Sequence, residues 1–389
     1  MTGSRVADTR LTWVGRFVGV CAVLMVTFTG FGAVIPVLPL LVTEELDGST
    51  FAVGAVFGVS ALVALVGRPY AGRAAQRFGS QRVMLVGCLV AGLVGLLYAA
   101  PFGLPGLYGV RVLHGVAESV VFTAGSVWVV ALAPESRRGQ LVGYYGLAMW
   151  TGFTVGPLVG TWLRSSWGYP AVWWFAALAP VVAAGLLLAV PSPGGLGEFT
   201  SRRLVPQTVL LPGTSLALAA FGYAALTGFV VLHLGQRGIA NGGAMLSLFG
   251  VGYVVVRVVA GRLPDRVGAT RVVVVCGLVE ALGLVLLTVA GGFWLAAVGA
   301  LVMGAGFTLL YPSLALLVIK ASPESERGAA LGAYTSFWDL GLGVSGLVTG
   351  VVAAAGYPAV FVLAAALATA AGIAGGIAGL RAERASSLG

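Results

Sequence analysis

The sequence points to an all-α integral membrane protein: twelve transmembrane helices, arranged as two parallel six-helix repeats with both termini cytoplasmic. Three observations carry this. Apolar runs recur from end to end, each of about the 20 residues that a helix needs to cross a bilayer core. Only 9% of the 389 residues are charged, against about a quarter in soluble proteins. A pattern of glycines and arginines also recurs at a fixed offset of 189 positions.

The spans fall at about 17–42, 51–69, 83–100, 106–131, 140–163 and 170–190, then 208–234, 243–260, 272–291, 293–319, 328–354 and 357–380. In hydrocarbon every backbone polar group must be paired within the chain, and strand-like alternation is absent, so each run is a helix. Glycine inside the runs suits helices that pack closely in lipid. The first run, Phe17 to Val42, follows Arg5, Arg10 and Arg16. It is longer than the apolar region of a signal peptide, so it is expected to be a retained first helix.

Charge sets the orientation. The N-terminal tail, loops 2–3, 4–5, 6–7, 8–9 and 10–11, and the C-terminal tail together hold 19 of the 22 basic residues. Arg202 and Arg203 serve loop 6–7, while Arg164 and Arg237 alone occupy the opposite side. Positively charged loops stay cytoplasmic. The net charge of +9 is therefore a topology signal and gives no case for nucleic acid. Cys21, Cys88 and Cys276 lie inside apolar runs, without metal-ligand spacing, and there are only two histidines. No metal, disulfide or cofactor is expected. No phosphate-binding loop or catalytic motif appears, so an enzyme is not expected.

At the 189-residue offset Arg68 maps to Arg257, Gly72 to Gly261, Arg73 to Arg262, Arg77 to Arg266, Gly79 to Gly268 and Arg82 to Arg271. Pro134-Glu135-Ser136 maps to Pro323-Glu324-Ser325, and Tyr145 to Tyr334. The chain thus divides into an N-terminal half, 1–190, a cytoplasmic linker, 191–207, and a C-terminal half, 208–389. Parallel repeats with a path between them are a transporter architecture.

These residues give the chain a plain resemblance to the major facilitator superfamily. Gly72, Arg73, Gln76, Arg77 and Gly79 resemble its loop 2–3 motif, and Gly261, Arg262, Asp265, Arg266 and Gly268 match it better. The first copy has Gln76 where the family has Asp, which implies a weaker cytoplasmic gate. "LYGVRVLHG" (107–115) resembles the helix 4 motif with its embedded Arg111. "GFTVGPLVG", with Gly152, Gly156, Pro157 and Gly160, resembles the helix 5 motif of antiporting exporters. Gly67-Arg68-Pro69, "GVAES" (115–119) and "SFWDLGLG" (336–343) resemble the bacterial arabinose-efflux-permease-like or drug:proton antiporter branch.

Charged groups at mid-bilayer default to functional candidates. Arg111, His114 and Glu118 share one face of helix 4, within an arc of about 60°. Arg111 and Glu118 are about 10 Å apart along the axis, with His114 between. Asp339 lies about 16 Å into the membrane from Gly328, near the midplane of a core about 30 Å thick. A carboxyl group out of water favours its neutral form, so Glu118 and Asp339 are the expected proton sites. Glu280 is a further candidate, midway along helix 9, which the resemblance makes peripheral. Helix 1 lacks the acidic residue that related exporters carry. His233 is expected at the outer interface. Trp150, Tyr145, Tyr311, Tyr334, Phe337 and Trp338 are candidates to line the path.

The expected function is export of a small amphipathic or hydrophobic molecule in exchange for protons, by rocking of the two halves across the cell or inner membrane. The alternative is a proton-coupled importer of a sugar or organic anion. The expected partners are a small-molecule substrate, protons and the bilayer. A monomer is the family default.

Overall fold

The computed structural model describes residues 3–100, 102–134, 137–191, 207–323 and 326–387. The described residues that form regular structure are helical throughout. Ten helices among them are long and apolar enough to cross a membrane. Ala244–Ala260 is apolar but shorter, and Arg138–Trp167, 30 residues long, is not among the ten. Its three tryptophans, two tyrosines and three threonines lower its hydropathy. Arg202, Arg203 and nearly all of the expected linker lie outside the described residues, as do Glu135, Ser136, Glu324 and Ser325.

The chain forms two compact units: residues 1–34 with 63–199, and residues 35–62 with 200–389. Residues 35–62, which the sequence assigns to the N-terminal half, group with the second unit.

In the first unit α1 (Gly3–Val34) packs on α6 (Arg138–Trp167) and α7 (Tyr169–Leu188). There α4 (Ser80–Leu97) packs on α5 (Gly103–Leu132) and α7. Its core holds Leu24, Phe28, Met84, Trp128 and Tyr145, all fully enclosed. The α1–α6 contact is backbone against backbone. A Cβ on Gly152 would lie 2.6 Å from the Met25 carbonyl, and one on Gly156 would lie 2.6 Å from the Thr29 carbonyl and 2.7 Å from Gly32 Cα. One on Gly160 would overlap the Ala33 carbonyl. The expected helix 5 glycines therefore form one continuous close approach to α1.

The second unit holds α2 (Leu38–Leu40), a π-helical turn (Leu41–Glu45) and the first half of α3 (Thr50–Phe78), then α8 (Gln207–Gln236) and α9 (Ala244–Ala260). It continues through α10 (Leu263–Val267), α11 (Ala269–Val289), α12 (Phe293–Phe307), α13 (Leu310–Ala321), α14 (Arg327–Val352) and α15 (Tyr357–Ser387). Helix α8 packs on α14 and α15, α11 on α12 and α15, and α9 on α12. Gly54 and Gly58 of α3 meet Gly343, Gly346 and Gly350 of α14, at separations that leave no room for side chains.

Two expected spans are interrupted, and proline explains both. The first helix ends at Val34 and restarts at Leu38. Pro36 has no N–H to bond the Gly32 carbonyl, and its ring crowds that carbonyl. The tenth span breaks between Phe307 and Leu310, where Pro312 does the same to Thr308 four residues back. The Thr308 carbonyl so released accepts a hydrogen bond from Arg257 Nη1 at 3.4 Å.

Candidate functional site

The glycine–arginine motif is built twice from the same turn. Gly79 and Gly268 have φ of +90° and +95°, and each opens the next helix, α4 and α11. Only glycine takes this conformation without strain. Gly72 lies on the α3 turn beside Thr123. Arg77, Arg257 and Arg266 lie in the last turns of α3, α9 and α10, where a cation favours the negative end of the helix dipole. Arg73 lies over the Tyr70 ring at 5.5 Å, and Arg77 over Phe78 at 5.2 Å. The copies differ in form. Helix α3 runs unbroken through Gln76, whereas Gly261 and Arg262 separate α9 from α10 because Pro264 begins a new helix. Arg262 and Asp265 are exposed.

Helix α5 presents the ionisable face. Arg111 and His114 are each 5% exposed, while the Glu118 side chain is 24% exposed. Arg111 Nη1 donates to the Tyr98 hydroxyl at 3.1 Å. The same hydroxyl lies 3.5 Å from His114 Nδ1, and His114 Nε2 lies 4.0 Å from Glu118 Oε2. The Tyr98 ring stacks on Trp173, with centroids 5.1 Å apart. The His114 ring packs on Phe31 at 4.4 Å. Sequence reasoning finds the α5 residues through their shared face and misses Tyr98, Phe31 and Trp173. Tyr98 belongs to another helix end, and no spacing connects it to Arg111. Its only signal is a phenol at the end of an apolar run.

The second unit encloses two acids. Asp339 of α14 is 2% exposed. Glu280 of α11 is 0% exposed, and neither carboxyl oxygen has a hydrogen-bond partner among the described residues. A peripheral helix would suggest a lipid-facing side chain, but Glu280 points inward. Its carboxyl fills the space left by Gly222 of α8, beside Met303 of α12 and Leu284, and its backbone abuts Gly306. His233 is likewise enclosed, at 1% exposed, rather than interfacial. Its Nε2 lies 3.1 Å from the Leu287 carbonyl, and Arg237 Nη1 donates to the Ala290 carbonyl at 2.9 Å. Both side chains thus bond carbonyls at the C-terminal end of α11, Leu287 in its last turn and Ala290 at its cap.

The aromatic candidates separate by exposure. Tyr145 and Tyr334 are fully buried, so neither lines an open surface, because each hydroxyl is bonded to a neighbouring backbone inside its own unit. Trp150 is 7% exposed and packs on Phe153. Phe337 lies against Gly213. Trp338 packs on Phe307 at 5.5 Å and Tyr223 at 6.2 Å. Tyr311 is 38% exposed, with its hydroxyl 3.0 Å from Thr335 Oγ1.

Ten bilayer-length apolar helices among the described residues, with ionisable groups enclosed among them, make this a multi-pass membrane protein. Comparison with known proteins gives its family. Residues 20–240 and 213–387 match the Major Facilitator Superfamily, and the chain belongs to that transporter family. It is 32% identical over 361 residues to the uncharacterized MFS-type transporter STM4428 of Salmonella typhimurium strain LT2, covering 89% of this chain and 92% of that protein. It is 30% identical over 375 residues to the uncharacterized MFS-type transporter YhhS of Escherichia coli K12, covering 92% of each. Among solved structures, a point mutant of the nucleoside transporter NupG has a TM-score of 0.76 at 14% identity, covering 93% of this chain and 99% of that one. The inward-open xylose transporter XylE of E. coli has a TM-score of 0.74 at 16% identity, covering 92% and 94%. These last two share the fold.

Proposed function

We propose that this transporter is a proton-coupled antiporter that exports a small amphipathic or hydrophobic molecule by alternating access. It would work as a monomer in the bacterial inner membrane, with twelve spans in two six-helix repeats and both termini cytoplasmic. The observation that carries the reading is the face of α5: a buried Arg111, a buried His114 and a partly exposed Glu118 in sequence along one helix. An acid that still reaches the surface can exchange protons, and the enclosed groups behind it can sense that exchange. Asp339 and Glu280 supply further enclosed carboxyl groups in the second unit. Phe337, Trp338, Trp150 and Tyr311 are the proposed contacts for an apolar substrate. Export is supported by the resemblance of Gly152, Gly156, Pro157 and Gly160 to the motif of antiporting exporters. The two glycine–arginine loops would act as the cytoplasmic gate.

One observation favours a second reading, proton-coupled import of a sugar or organic anion. Arg111 is a buried cation, and an anionic substrate is a natural partner for one. The structural neighbours are in keeping with it. They include the nucleoside transporter NupG, the xylose transporter XylE and the human organic anion transporter MFSD10, the last at a TM-score of 0.70.

The test uses the protein in liposomes with a pH-sensitive dye inside and an imposed proton gradient. A panel of lipophilic cations, dyes, sugars and organic anions is added in turn. The reading expects a lipophilic compound to trigger proton flux, and Glu118→Gln and Asp339→Asn to abolish it. Substrate movement without proton flux, or flux that survives both replacements, overturns it. Flux triggered by a sugar or an organic anion alone selects the importer.

A further inference from the structure

We infer that Tyr98 is a positioning residue: it fixes the ring tautomer of His114, so that the imidazole carries its proton on Nε2, the side facing Glu118. The inference rests on the reading of α5 as the proton-handling face, and it names the residue that orients that face.

The direction of each hydrogen bond supports it. A guanidinium only donates, so the 3.1 Å contact runs from Arg111 Nη1 to the Tyr98 oxygen. The phenol still has its own proton to place. The nitrogen within reach is His114 Nδ1, at 3.5 Å. Donation there requires a bare Nδ1, which puts the ring proton of the neutral imidazole on Nε2. That nitrogen is 4.0 Å from Glu118 Oε2, one helical turn along α5. The opposite tautomer would aim two donors at the Tyr98 oxygen and leave the phenol proton without this acceptor. Arg111, Tyr98, His114 and Glu118 therefore form a chain that points one way and ends with a donor facing the carboxyl group.

Two aromatic rings hold the chain in place. Trp173 of α7 stacks on Tyr98 and Phe31 of α1 packs on His114. Among the described residues, the titratable or charged groups facing the ring are Tyr98, which caps α4, and Arg111 and Glu118 from α5 itself. With Nε2–H toward it, the Glu118 carboxylate gains a donor whenever the gap closes. With a bare Nε2 it would meet a lone pair and hold its own proton instead.

The chain has only two histidines, His114 and His233, so histidine-labelled protein gives two imidazole signals by nitrogen and carbon NMR. A His233→Gln variant assigns them. The expected result is an Nε2–H tautomer for His114 above neutral pH, and loss of that preference in Tyr98→Phe, which keeps the ring stacked on Trp173. In liposomes the same variant should move the pH midpoint of substrate-driven proton flux to higher pH. An Nδ1–H ring in the parent protein, or an unchanged tautomer in Tyr98→Phe, overturns the inference. The predicted tautomer in a protein that drives no proton flux overturns the proton-coupled reading instead, and the two failures are told apart by which measurement fails.

Discussion

The Tyr334 hydroxyl donates to the Tyr311 backbone carbonyl at 2.9 Å and ties α14 to α13. At the same offset that relates the two loops, the Tyr145 hydroxyl donates to the Phe122 carbonyl at 3.0 Å and ties α6 to α5. The ring pairs match as well: Tyr311–Tyr334 centroids are 5.2 Å apart and Phe122–Tyr145 centroids 5.5 Å. Each unit thus uses the same phenol for the same backbone contact. Tyr145→Phe and Tyr334→Phe should each destabilise the protein by about 1 kcal/mol, the usual net value of one hydrogen bond. The losses should add in the double variant, because the two sites share no partner. Thermal unfolding in detergent measures this, and a double variant as stable as the parent would contradict it.

The α1–α6 contact predicts opposite outcomes for two glycines. Gly160→Ala places a methyl group on the Ala33 carbonyl and should lower the melting temperature and the yield of folded protein. Gly185→Ala, on α7 with nothing within 4 Å, should be neutral or stabilising by up to about 1 kcal/mol, the helix-propensity difference. Comparison of the two by size-exclusion profile and melting curve decides it.

Glu280 predicts a separation of stability from function. An unpaired buried polar group costs about 1–3 kcal/mol, so Glu280→Leu should raise the melting temperature. Under the proposed function it should also reduce proton flux. Glu280→Gln tests the carboxyl group at nearly constant shape. A Leu variant that melts lower than the parent would show that the acid is held by its surroundings after all.

Pro312→Ala should join α12 to α13. The new amide at 312 can bond the Thr308 carbonyl, which then competes with Arg257. Hydrogen exchange should find that amide protected, and Arg257→Gln should then cost less stability than it does in the parent. An amide at 312 that exchanges as fast as a loop would place the cause of the break elsewhere.

Much of the fold was legible because lipid removes the alternatives. Apolar length, missing charge and the arginine-rich loops locate the spans, as the one expected at 208–234 and observed at Gln207–Gln236 illustrates. The span expected at 51–69 is part of a longer helix, Thr50–Phe78, which runs on into its arginine-rich end. The interruptions near Pro36 and Pro312 were legible in principle, since a proline at a known position removes a known hydrogen bond. Arg111, His114 and Glu118 could be read together because 3.6 residues per turn puts them on one face.

Reading along the chain was thus enough to establish a helical membrane protein, its repeated turns at Gly79 and Gly268, and the residue types on α5. What each enclosed polar group meets came from the packing of the helices. Packing turned Glu280 inward against Gly222, closed Tyr145 and Tyr334 into the cores, and brought Tyr98 to Arg111 and His114. Helical periodicity operates along one helix. Which helix lies opposite depends on contacts between segments far apart in the chain, and no spacing records that.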